Sequence, residues 1–152
     1  MRIPCKLRFF RTTMILILLM FVTLMSGCGA VSKPPALTAE RLNTVRMPMT
    51  LGTYSWEDTD SDSGHPTEQV RDDEVEIFQA KNGIRLDFDG EEPFQITANL
   101  MSMEDPGAAP VPVIVRGTTL TLPDLVGYYA LQVWAVWGNE DYASYALSIQ
   151  IE

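Results

Sequence analysis

"GYYALQVWAVWGNEDYASYALSIQIE", residues 127 to 152, decides the fold. Its second half alternates. Ala143, Tyr145, Leu147, Ile149 and Ile151 share one side, and Ser144, Ser148 and Gln150 take the other. A period of two is the mark of a β-strand with one dry and one wet face, because successive side chains of a pleated chain point opposite ways. "YYALQVWAVW" is apolar on both faces and reads as a central strand. "GNED" (138 to 141) has the length of a hairpin loop. The chain therefore closes on two long antiparallel strands.

The same period recurs upstream. "IRLDFD" sets Ile84, Leu86 and Phe88 against Arg85, Asp87 and Asp89, and "FQITANLM" sets Phe94, Ile96, Ala98 and Leu100 against Gln95, Thr97 and Asn99. "VPVIV" (111 to 115) and "TTLTL" (118 to 122) are shorter candidates around Gly117, with Pro110 and Pro112 pushing the former toward an edge. "NG" at Asn82 and Gly83, and "DGEEP" at 89 to 93, mark turns. Short strands with frequent turns and no convincing helix predict an all-β, two-sheet antiparallel sandwich.

"PDLVGYYAL" (123 to 131) resembles the start of a late strand of immunoglobulin-like domains, whose pattern is Asp-x-Gly-x-Tyr-x-Cys. Gly127, Tyr129 and Leu131 match the Gly, Tyr and Cys spacing. Asp124 lies one residue too far upstream, and Leu131 replaces the cysteine. The resemblance implies a tyrosine corner, with the Tyr129 hydroxyl bonding backbone where the chain passes between sheets.

The amino terminus has a different character. Arg2, Lys6, Arg8 and Arg11 precede an apolar run from Met14 to Val22, followed by "TLMSGC". A basic head, a short apolar middle and a small-residue exit describe a secretory signal peptide. The run is shorter than the ~20 residues of a bilayer span. "LMSGC" resembles the lipobox of bacterial lipoproteins. That resemblance implies cleavage after Gly27 and acylation of Cys28, with Met25 standing where Leu is preferred. Several acyl chains, at ~0.8 kcal/mol per buried methylene, give durable anchoring. Cys5 would leave with the leader, so Cys28 would be the only cysteine and no disulfide would form within the chain.

The expected organisation is a signal peptide (1–27), the acylated cysteine with a flexible tether (28–50), and an immunoglobulin-like sandwich (51–152). Pro34, Pro35 and Pro48 punctuate the tether. Within it "PALTAERLNTVR" offers at most a turn or two of helix, capped by Thr38. Beyond residue 27 lie 7 of the 11 bases and all 20 acids, a formal charge of -13. Such a charge argues against nucleic acid and against lying flat on an anionic membrane.

"LGTYSW", "IRLDFDGEEP" and "GYYALQVWAVW…SYALSIQIE" together look like a group of small secreted lipoproteins of Gram-positive bacteria. Members often carry a cysteine where Ser55 stands, paired to one in the next loop, and this chain has neither. The resemblance implies address and fold, and no activity.

Candidate sites are few. "WEDTDSDSGHP" alternates Asp58, Asp60 and Asp62 ahead of Gly64, and hard oxygen ligands in a loop suit calcium. Counted from Asp58, the calcium-loop template asks for Gly where Ser63 stands and Glu where Gln69 stands. Glu57, Asp72 and Asp73 are further ligand candidates. Residues 57 to 76 hold nine of the 20 acids, a docking face for a basic protein partner or a solubilising surface. His65 is the sole histidine and sits in a flexible loop without a nucleophile framework, so catalysis is not expected. Trp56, Trp134 and Trp137 are candidates for a carbohydrate platform or for core. Trp134 and Trp137, three apart, must face opposite ways. The expectation is a non-enzymatic, lipid-anchored module on the outer side of the cell membrane, without cofactor. Its partners would be the membrane through the anchor, and a basic protein or a cell-wall component. A calcium- or carbohydrate-binding accessory domain and an inhibitor of secreted proteases are the competing readings.

Overall fold

Eleven strands and one helical turn fill the computed structural model, which describes residues 32–41, 45–138 and 140–152. These residues belong to one unit, Ser32–Glu152. The strands are β1 (Ala36–Arg41), β2 (Val45–Pro48), β3 (Thr50–Trp56), β4 (Thr59–Ser61), β5 (Glu76–Phe78), β6 (Gly83–Asp89), β7 (Gln95–Ser102), β8 (Val111–Arg116), β9 (Thr119–Thr121), β10 (Gly127–Val136) and β11 (Tyr142–Ile151). The helical turn, α1, is Pro66–Gln69.

The predicted all-β sandwich is present. One layer runs β2-β1-β6-β9-β8, and the other runs β7-β10-β11-β3-β4. Within them β6-β9-β8 and β7-β10-β11 reproduce the B-E-D and C-F-G neighbours of the immunoglobulin arrangement, with β1 in the place of strand A. β8 belongs to both layers: Val111 to Val113 pair with β7, and Ile114 to Arg116 pair with β9. One pairing is parallel, β5 on β11.

The tether expectation over residues 28 to 50 is corrected from Ala36 onward. β1 pairs with β6 along its whole length, Ala36 with Asp89 through Arg41 with Ile84. Leu37, Ala39, Met47 and Met49 are buried in the main core. Apolar positions two apart served a strand, where the same sparse spacing looked insufficient for a helix. Glu40 lies opposite both Arg46 and Arg85 across the ladder and is held by each, at 2.7 and 3.5 Å. Cross-strand charges of opposite sign thus align β1 between its neighbours. The sandwich begins near residue 36, not 51.

The main core lies between the layers, supplied by Ile84, Leu86, Leu100, Leu131, Val133 and Ile149 among others. An edge-to-face chain of rings crosses it. Trp56 meets Trp137 at 5.0 Å, Trp137 meets Phe88 at 5.6 Å, and Phe88 meets Tyr145 at 6.1 Å. Each ring's positive edge faces a neighbour's negative face, an arrangement worth ~1 kcal/mol a pair beyond burial. The polar ends are satisfied: Trp137 Nε1 donates to Glu91 O at 2.7 Å, and the Tyr145 hydroxyl donates to Pro35 O at 2.6 Å.

Burial pushes the Tyr145 phenol above its ordinary value of 10.0. The folded state keeps this proton where the unfolded chain releases it. The contribution to stability is therefore complete below about pH 10 and is lost as pH rises through the higher folded pKa. Tyr145→Phe is expected to cost about 1 kcal/mol at neutral pH, from the lost bond to Pro35. It should also flatten the fall in melting temperature between pH 10 and 11.5. An unchanged alkaline slope would contradict the assignment.

Candidate functional site

The tyrosine corner implied by the sequence is formed. Tyr129, at the start of β10, donates its hydroxyl to Val126 O at 3.2 Å. Gly127 makes room for it. Its φ is +142°, and a Cβ there would lie 2.8 Å from the Tyr129 oxygen. Leu131, in the cysteine position, is fully buried in the core.

The outward face of β11 departs from the expectation of a wet surface, and that of β10 is covered as expected of a strand apolar on both faces. Ser144, Ser148 and Gln132 are buried, as are Ala130 and Ala146. Residues 62 to 75 run over this face as a strap. Val70, with no exposed surface, packs on Ala130 and Ala146, with Met101 and Met103 beside them. The buried hydroxyls find partners: Ser148 with Tyr128 at 3.2 Å, and Ser144 with Thr53 O at 3.1 Å. Small residues let the strap approach. At Gly52 a Cβ would sit 2.6 Å from Ser144 Oγ and 2.8 Å from Gln69 Oε1. Gln69 also bonds Ser63 at 3.0 Å, and Ser63 bonds Thr53 at 3.0 Å, tying the strap to β3. The missed signal is the run of Ala and Ser on a nominally polar face, which suits close packing as well as solvent.

Val70→Asp places a charge where none is solvated, at a cost of several kcal/mol. The expected outcome is detachment of the strap with the sandwich intact. Cleavage by a glutamate-specific protease at Glu68 or Glu74 should quicken about tenfold or more, with near-ultraviolet dichroism retained. Cleavage at the wild-type rate would show that Val70 does not hold the strap.

The alternating acids bracket a short strand. Asp58 stands in the β3–β4 turn, Asp60 in β4 and Asp62 just after it, all exposed. Only Asp60 of the three lies in a strand, with Asp58 before it and Asp62 after it. Asp62 accepts from Thr53 at 3.3 Å. Asp73 accepts from Thr50 at 3.0 Å. Among the described residues no three His, Cys, Asp or Glu side chains are grouped to hold a metal. Glu57 enters the turn with positive φ, and its amide donates to Asp141 at 2.8 Å. Asp72 is exposed on the strap. His65 is exposed and shares a hydrogen bond with Thr67 at 2.8 Å.

The tryptophans divide as their spacing requires. Trp137 is buried and Trp56 packs on it from the rim of the core. Trp134 is half-buried on the outward face beside Tyr142, ring centres 5.8 Å apart. Gly27 and Cys28 lie outside the described residues, with the whole expected leader.

Among the described residues, clefts open where strands part company. One, of about 320 Å³, lies where β8 leaves β7, lined by Phe94, Ile96 and Val115 with Glu92 at its side. Another, of about 330 Å³, lies where the chain crosses between layers at Pro48 and Met49, with Asp73, Glu74 and Glu76 around it. No family model, curated protein or solved structure matches this chain.

Proposed function

We propose that the chain is a non-enzymatic binding module held at the outer face of a bacterial cell membrane by acyl chains on Cys28. The observation that carries this reading is the sequence "LMSGC" shortly before an immunoglobulin-like sandwich. Only seven residues, 29 to 35, separate Cys28 from β1. An acylated Cys28 keeps the sandwich near the headgroups, while the surplus of acids opposes adhesion to anionic lipid.

The test is metabolic labelling with palmitate in a bacterial host, followed by detergent phase partition. The wild-type chain is expected to take up label and enter the detergent phase. Cys28→Ser should lose the label, with at least a tenfold drop in membrane-retained protein. Label that persists in the variant would overturn the assignment, as would native protein with a free thiol and residues 1 to 27 still attached.

A further inference from the structure

We infer that the cleft at the Pro48–Met49 crossing is a seat for one lysine or arginine side chain of a partner polypeptide. The inference names a partner chemistry for the binding role proposed above. Its geometry comes from a break in one strand edge. β11 pairs with β3 as far as Ala146, opposite Thr50, and resumes with β5 at Ile149, opposite Glu76. Leu147 and Ser148 therefore have no strand beside them on that edge. The break is two residues long, roughly 7 Å. That width admits a single side chain and excludes an added strand.

The lining selects what enters. Met47, Met49 and Leu147, all largely buried, give the cleft an apolar floor, and it is lined as well by the exposed Asp73 and Glu74 and the half-buried Glu76. Among the described residues no ion pair reaches these three acids, although Thr50 bonds one oxygen of Asp73. An uncharged apolar group would gain the floor and waste the carboxylates. A small cation would gain the carboxylates and leave the floor wet. A methylene stem ending in a positive charge satisfies both, since the stem can lie on the methionines while the head stays among carboxylates. Methionine is a suitable floor because it adapts to the shape of what lies on it.

The test uses the full-length chain in detergent micelles, with carbon-13 labels on the methionine methyl groups. The probe is acetyl-Ala-Arg-Ala-amide, its lysine counterpart, and the citrulline analogue that keeps the shape without the charge. The charged peptides are expected to shift the methyl signals of Met47 and Met49 and to leave those of Met101 and Met103 in place. The citrulline peptide should shift neither pair. Glu74→Gln with Glu76→Gln should weaken the charged peptides about tenfold. Glu91→Gln with Glu92→Gln, the same change of charge elsewhere, should change their affinity less than twofold. Equal losses in the two double variants would reduce the effect to overall charge and overturn the proposal. Shifts at Met101 and Met103, or equal response to citrulline, would overturn it too. Cys28 takes no part in these measurements, so failure here is distinct from failure of the anchoring role.

Discussion

Gly127→Ala is expected to lower the melting temperature by roughly 10 °C, through a loss of about 2–4 kcal/mol. Two costs combine. The residue has φ +142°, a region that side chains rarely adopt, at a strain of about 1–3 kcal/mol. The new methyl carbon would also meet the Tyr129 ring, with Cε2 at 2.9 Å and Cζ at 3.0 Å. A ring packed against the core cannot swing aside as a lysine tip would, so the bond to Val126 O breaks, costing about 1 kcal/mol more. Tyr129→Phe is the control. It removes the hydrogen bond without the clash and should cost only about 1 kcal/mol. If the two variants melt together, backbone strain contributes nothing and the account of the corner is wrong.

Leu131→Ala is expected to cost about 2–5 kcal/mol, a large share of the stability of a single domain. Leu131 has no exposed surface and stands between Leu100 of β7 and Leu147 of β11 in the ladder. Truncation leaves a hole bounded by strands that are hydrogen-bonded on both sides and can collapse little. Urea unfolding should show a lower midpoint with the slope unchanged, because the same surface is exposed on unfolding. A loss below 1 kcal/mol would mean that the core relaxes around the gap. It would also mean that the leucine does not stand in for the bridging cysteine of the immunoglobulin pattern. Val70→Asp offers a contrast, since Val70 belongs to the separate cluster beneath the strap. That variant should free the strap and leave the main core in place.

The strands were legible where one face was dry. "IRLDFD", "QITANLM" and "YASYALSIQI" alternate because the main core admits only every second side chain, and all three lie in strands, whereas Phe94, expected on the dry face, precedes β7 and is exposed. The corner was legible too, because Gly127 and Tyr129 answer a local steric demand two residues apart. β1 was not legible. Its buried apolar positions are only Leu37 and Ala39, and its partner β6 lies more than forty residues away along the chain. The placement of the acids at 58, 60 and 62, one in a turn, one in β4 and one just after it, was not legible either.

Residue pattern alone is enough to read an antiparallel sandwich and to say which side of its main strands faces the core. Those properties follow from period, turn residues and local sterics, which act over a few residues. It took the folded chain to show that residues 36 to 41 and 45 to 48 join a sheet and that the strap covers the outward face of β10 and β11. The folded chain likewise shows that Met47, Met49, Asp73, Glu74 and Glu76 meet around one break in β11. The reason is that such pairings are chosen by fit between distant segments. An alanine or serine that suits water suits a close neighbour equally well, and only the fold says which of the two it meets.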